Sequence, residues 1–231
     1  MKKIITPQEA ASRIESGMTV MVGGFLGCGT AQSILQCLSE SDVKDLTIIS
    51  NDASIPTGPD GSQYYGLASL IHKRQVTKLI TSHVGLNAEV SEQVSEGELL
   101  LVLVPQGSLV EMIRSGGIGL GGIITPTGVG TMVEDYEYVI DKITIEGRQY
   151  LIQKALHADV ALINGTRIDT MGNVWYQGTT RNFNQVMAMA ADTVIAEADH
   201  IVELGDLEPA GLSRVRRIPT ISSRFIRVDR C

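Results

Sequence analysis

The chain has 231 residues, 43% of them hydrophobic, and a formal net charge of -7. That length supports one substantial α/β core, and the general acidity, with no basic face before the last residues, argues against a nucleic-acid or anionic-membrane partner. Three irregularly spaced cysteines and four scattered histidines form no disulfide framework or zinc site, which fits a reducing, cytoplasmic setting.

The apolar start is broken by Pro7, Gln8 and Glu9, so neither a signal peptide nor a membrane span is predicted there. Thr6-Pro7-Gln8-Glu9 instead has the chemistry of a helix start, with Thr6 as cap and Glu9 reaching back, and the helix is predicted to end near Gly17. An apolar β-branched run from Thr19 then stops in Gly23-Gly24-Phe25-Leu26-Gly27-Cys28-Gly29, and an amphipathic pattern begins at Ser33-Ile34-Leu35. This predicts a strand, a tight loop and a helix. Such glycines let backbone take positive φ and approach a ligand, while the first helix amides point outward, unpaired and partly positive, toward phosphate, carboxylate or thioester oxygen. The same glycines serve equally as a packing device, and both readings stay open. The loop lacks the Lys-Ser or Lys-Thr of a P-loop, and it lacks the dinucleotide spacing with its acidic partner.

Asp45 to Ser50 is predicted as a second strand, closing in Asn51-Asp52 at the carboxyl end, where open α/β sheets bind ligands. Asn51 is therefore a site candidate, with a turn-forming role as the alternative. Pro56 to Tyr65 is a loop by composition, followed by a helix over Leu67 to Ile71 and a strand over Lys78 to Thr81. The run from Glu98 to Pro105 reads as the clearest buried strand, with Gln106 at its polar tip and Ser108 and Glu111 placed as a capping box for the next helix. Gly116 to Thr131 reads as an ordered glycine loop, for ligand approach or for packing. Beyond it come a β-hairpin (Tyr138 to Ile145, Glu146-Gly147, Arg148 to Ile152), a buried strand (Ala158 to Asn164), a turn at Asp169 to Asn173, a helix from Asn182 to Ala191 and a strand over Thr193 to Ala196. Arg214, Arg216, Arg217, Arg224, Arg227 and Arg230 crowd a tail read as solvated or poorly ordered.

The alternation defines an α/β fold with an open, mostly parallel sheet flanked by helices. No histidine pair, Gly-x-Ser-x-Gly elbow or singular carboxylate marks a catalytic centre. Cys28 is weighed as a thiolate nucleophile, but no histidine stands beside it in sequence, and a small buried cysteine is the alternative.

Taken together, Gly23 to Gly29 resembles the coenzyme A loop of the family I CoA-transferases, in the A (α) subunit. The resemblance extends through Ile49-Ser-Asn51-Asp52, Val104-Pro-Gln106-Gly107-Ser-Leu, Gly119-Leu-Gly-Gly122, Thr125 to Thr131, Ala158 to Ile163, Arg181-Asn-Phe-Asn184 and Ala188 to Ala191. It is nearest to the acetate/butyrate-acetoacetate type. The resemblance implies a sugar-phosphate-isomerase-like domain over residues 1–209 with a small hairpin elaboration, then an atypical Arg-rich tail over 210–231. It also implies that coenzyme A or acyl-CoA is a substrate rather than a resident cofactor. Gly23, Gly24, Phe25, Leu26, Gly27, Cys28 and Gly29 would bind it, with Asn51 and Gln106 near the acyl end. The attacking glutamate is expected on a partner B subunit, in a Ser-Glu-Asn-Gly context absent from this chain, within an α2β2 heterotetramer or larger. The catalytic residue is thus expected outside this chain, with no metal, nucleic acid or membrane involved. Two departures stand out: Ala31 replaces the family's proline, and Gly211 to Cys231 lacks the usual Thr-Pro-Gly turn and apolar strand, through a divergent tail or a shifted reading frame. The alternatives are a stand-alone ligand sensor on the same scaffold and a nicotinamide-dependent enzyme.

Overall fold

The computed structural model describes residues 4–58, 61, 63–207, 212–214 and 224–229. After β1 (Ile4–Ile5), the Thr6 side chain accepts the Glu9 amide at 3.1 Å and the Glu9 carboxylate accepts the Thr6 amide at 3.2 Å, so the predicted capping box opens α1 (Pro7–Ala11). The helix stops at Ala11 rather than near Gly17. The amides of Arg13 and Ile14 reach only three residues back, which tightens the chain into turns, and Gly17 bonds the Lys44 carbonyl.

β2 (Thr19–Val22), β3 (Leu46–Ser50), β4 (Val76–Thr81) and β5 (Leu100–Leu103) pair in parallel in that order, with α2 (Gln32–Ser39), α3 (Ala68–His72) and α4 (Ala88–Ser95) between them. Strand alternation splits the apolar side chains between two layers. Val20, Val22, Leu46, Ile48 and Leu79 pack against Ile34, Leu35, Leu38, Leu70 and Ile71 of α2 and α3. On the other face, Met21, Ile49, Ile80 and Val102 pack with Leu109, Met112 and Ile113 of α5 (Gln106–Gly117).

β5 corrects the reading of Glu98 to Pro105 as a buried strand. It is the sheet's edge, with Leu100 57% and Leu103 38% exposed, because α5 covers Val102 but not its neighbours. An unbroken apolar run is not by itself evidence of two covered faces. The capping box at Ser108 also does not form: Pro105 is the N-cap of α5, Ser108 Oγ is buried without a partner, and Glu111 pairs with Arg114. Gly116 and Gly117 belong to α5, and Gly122 opens β6 (Gly122–Thr125), so only part of the glycine-dense stretch is loop. With β7 (Val139–Ile145) and β8 (Arg148–Lys154), β6 makes a separate three-stranded antiparallel sheet. The predicted hairpin is there, turning at Glu146 and Gly147, both with positive φ.

β9 (Ala158–Asp169) lies parallel to β2 and carries β10 (Asn173–Trp175) on its far end. The helix predicted from Asn182 to Ala191 is a single turn, α6 (Asn184–Met187), because Ala191 already begins β11 (Ala191–Val202), parallel to β9. β12 (Leu212–Arg214) pairs with β10. β13 (Arg224–Asp229) is inserted between β11 and β1, parallel to both. Part of the Arg-rich tail is thus strand, with Arg214 on β12 and Arg224 and Arg227 on β13, rather than poorly ordered; Arg216, Arg217 and Arg230 lie outside the described residues.

Candidate functional site

Beyond β2, the Gly23 amide donates to Leu162 O at 2.9 Å. Phe25 and Cys28 then exchange both backbone hydrogen bonds, at 3.0 and 2.9 Å, closing a two-residue bend on Leu26 (φ 48°) and Gly27 (φ 83°). Positive φ at both positions is what such a bend requires. Phe25 and Cys28 are thereby exposed.

Four polar side chains that the sequence did not single out fix this bend. Asn182 Oδ1 accepts the Gly24 amide at 3.1 Å while its Nδ2 donates to Cys28 O at 2.9 Å. Asn184, fully buried, donates to Gly29 O at 2.8 Å and accepts the Asn164 amide at 3.1 Å. Asp52 Oδ2 accepts the Leu26 amide at 2.9 Å. Glu197, fully buried on β11, accepts the Ser33 and Ile34 amides at 3.2 and 3.1 Å. The only sequence signal for the two asparagines is their place in the Arg181-Asn-Phe-Asn184 motif; nothing local distinguishes Glu197 or Asp52.

These contacts correct the expectation of outward, unpaired amides. The start of α2 is capped by Glu197, and the amides of Gly23, Gly24, Phe25, Leu26 and Cys28 all have protein acceptors. Among the described residues, Gly27 and Gly29 are the bend residues whose amides carry none. Ala31 occupies the N-cap of α2, fully buried, with no side-chain bond; Glu197 supplies what it lacks.

Asn51 and Gln106 come together. Gln106 Nε2 donates to Asn51 Oδ1 at 2.6 Å, and Asn51 Nδ2 donates to Asp52 Oδ2 at 2.9 Å, the same oxygen that holds Leu26. Asp52 Oδ1 accepts the Ser54 amide at 2.8 Å. A continuous chain of hydrogen bonds thus runs from the exposed Gln106, through buried Asn51 and Asp52, to the bend. Beside Gln106, a groove of about 460 Å³ opens between α5 and the small sheet, lined by Gly107, Ser108, Glu111, Arg114, Ile123 and Thr125. The space within the bend, among Gly24, Thr30, Asp52 and Leu67, is only about 10 Å³. That space is too small to admit a ligand. The exposed Cys28 thiol faces Thr179 Oγ1 at 3.5 Å, and no histidine is bonded to it among the described residues.

An α/β sheet with polar strand tips gathered beside a glycine bend defines a ligand-binding enzyme scaffold. The profile of the coenzyme A transferase family matches residues 4–214. The chain is 46% identical over 208 residues to the acetate CoA-transferase subunit alpha of Escherichia coli strain K12, covering 90% of each. It is 47% identical over 206 residues to the acetoacetyl-CoA:acetate/butyrate CoA transferase alpha subunit of Clostridium acetobutylicum, covering 89% of this chain and 90% of the relative. Among solved structures it superposes on an acyl-CoA transferase from E. coli O157:H7, a thioester complex with CoA, with TM-score 0.78 and 22% identity. That match covers 99% of this chain and half of the other, longer one. The glutaconate coenzyme A-transferase of Acidaminococcus fermentans matches with TM-score 0.78 and 16% identity, over 98% of this chain and 75% of that one. These two show the shared fold. The chain belongs to the coenzyme A transferase family, so the enzyme class implied by the glycine-loop resemblance holds.

Proposed function

We propose that this chain is the A subunit of a heteromeric CoA-transferase that moves coenzyme A between a short-chain acyl-CoA and a free short-chain carboxylate. The preferred pair is drawn from acetate, butyrate and acetoacetate, in keeping with the names of its relatives. The observation that carries this reading is the hydrogen-bonded chain from Gln106 through Asn51 and Asp52 to Leu26, which joins the glycine bend to the polar strand tips.

In this reading the partner subunit's glutamate attacks the thioester, forming an acyl-glutamyl anhydride and then a glutamyl-CoA thioester. A covalent relay of that kind divides one hard exchange into easier steps. Gln106 uses one Nε2 hydrogen on Asn51, and its second is free to meet an oxygen on which charge develops. Gly23 to Gly29 forms a fixed wall of the coenzyme A site, and the enzyme is a cytoplasmic assembly of A and B subunits, α2β2 or larger.

The test is co-expression with a B-type subunit carrying Ser-Glu-Asn-Gly. Purified complex should consume acetoacetyl-CoA when acetate is supplied, whereas this chain alone should not. Full turnover by the isolated chain, or none by the complex with any short acid, would overturn the reading.

A further inference from the structure

Where the sheet face bearing Ile49, Ile80 and Val102 meets the small sheet, a cavity of about 360 Å³ remains, at the lower end of the range for small-molecule pockets. Two rows of side chains, in register across the strands, make one wall. Thr19, Thr47 and Lys78 form the first row, and Ile49, Ile80 and Val102 the second, two residues further along. Lys78 stands on this face because the register of β3 with β4 shifts: Leu46 pairs with Val76, but Thr47 pairs with Lys78, leaving Thr77 over. Under regular pairing Thr47 would oppose Thr77, and Lys78 would belong to the other face. An extra residue of this kind re-aims a side chain.

The facing wall holds Met112, Glu137, Tyr138, Lys154 and His157. The hydrogen bond from Lys78, and more weakly the charge of Lys154, hold the Glu137 carboxyl low. Lys78 is therefore balanced by Glu137, while Lys154 forms no ion pair and the Thr47 hydroxyl no hydrogen bond among the described residues. One cation and an apolar floor are left. The cavity sits at the amino ends of β2, β3 and β4, whereas Asn51 and Gln106 meet beyond the carboxyl ends of β3 and β5.

We propose that this cavity binds a monocarboxylate with an apolar body longer than the short acids of the exchange, such as a medium-chain fatty acid. Lys154 and the Thr47 hydroxyl take the carboxylate, and Ile49, Ile80, Val102 and Met112 take the chain.

The experiment is a titration of the isotope-labelled full chain with octanoate, followed through the methyl resonances of Ile49, Ile80 and Met112. Octanoate should shift them saturably. Butyrate, with less chain to bury, should bind at least about tenfold more weakly. Lys154 is exposed, so Lys154→Met should fold normally; it should weaken octanoate about fivefold, and Lys154→Arg should restore most of the affinity. Octanamide should match octanoate on Lys154→Met but fall about fivefold behind it on the wild type. Absence of shifts at these methyls, equal affinity for butyrate and octanoate, or an octanoate affinity indifferent to Lys154→Met would overturn the proposal.

Discussion

Gln106 Nε2 lies 2.6 Å from Asn51 Oδ1, although 55 positions separate the two residues. Parallel pairing of β3, β4 and β5 sends all three carboxyl ends to one edge, so the residues that follow the strands meet there: Asn51, Ser82, whose hydroxyl bonds Asn51 O at 2.6 Å, and Gln106. Gln106 is exposed, and its loss should cost folding only about 1 kcal/mol. If its second amide hydrogen meets developing charge, Gln106→Ala should lower kcat/KM of the complex about a hundredfold. Steady-state kinetics beside a denaturant titration separates the two effects. Equal activity of wild type and variant would remove Gln106 from the chemistry.

Asp52→Ala should behave differently, because this carboxylate holds three donors: Leu26 N, Ser54 N and Asn51 Nδ2. Removing it leaves buried donors without acceptors, at a cost of about 2–4 kcal/mol. Asp52→Asn, which keeps one accepting oxygen, should lose roughly half as much. Urea midpoints for the three proteins check the order, and a loss under about 0.5 kcal/mol for Asp52→Ala would contradict the network.

The contrast between these residues shows what sequence could convey. The alternation of strand and helix, the glycine bend and the hairpin were readable because each is a local pattern of apolar spacing or turn chemistry. Asn51 and Gln106 were singled out because they follow strands, and the structure brings them together. Glu197 was not, since a glutamate inside a β-strand announces nothing until the sheet brings it 163 and 164 positions back, to the start of α2. The edge position of β5 was equally hidden. Leu100 to Leu103 has the composition of a covered strand, and only the order of the sheet reveals that it is the edge among the described residues. β13 pairs in the sheet despite its arginines, because backbone pairing with β1 and β11 is indifferent to side-chain charge.

Gly24 separates a packing role of the bend from the proposed ligand role. Its φ is 119°, and a Cβ there would collide with Thr30 Oγ1, whereas Gly17, at φ 84°, has open space around it. Gly17→Ala should cost about 1 kcal/mol for backbone strain alone. Gly24→Ala adds a clash and should cost about 3 kcal/mol, with part of the chain recovered insoluble. The loss of activity then follows from a distorted bend rather than from blocked ligand access. Melting curves for the two variants decide it; a Gly24→Ala protein as stable as Gly17→Ala would assign the lost activity to blocked ligand access instead.

Cys28 is exposed, and among the described residues its thiol has one hydrogen-bond partner, the Thr179 hydroxyl. A thiolate nucleophile needs a base or cation to activate it. Cys28→Ser keeps a polar atom of similar reach and should retain more than about half of the exchange activity in the complex. Complete loss, with the fold intact by circular dichroism, would make the thiol a reacting group.

The small sheet is tied to the large one by Tyr138, whose hydroxyl donates to Leu103 O at 3.2 Å, and by the ion pair of Lys78 on β4 with Glu137. The hydrogen bond from Lys78 holds the Glu137 carboxyl below its ordinary value of 4.5, against a smaller opposing effect of burial. A carboxyl depressed on folding adds stability above its unfolded value, and that contribution is lost as pH falls through the folded one. The side chain is 60% exposed, so screening keeps the effect below about 0.5 kcal/mol. Glu137→Gln should therefore melt about 1–2 °C lower than wild type near neutrality. The gap should close in acid, below 4.5, where wild type also loses its charge, and it should shrink in high salt. A gap that persisted in acid would assign the effect to packing of Tyr138 and its neighbours instead of to the ion pair.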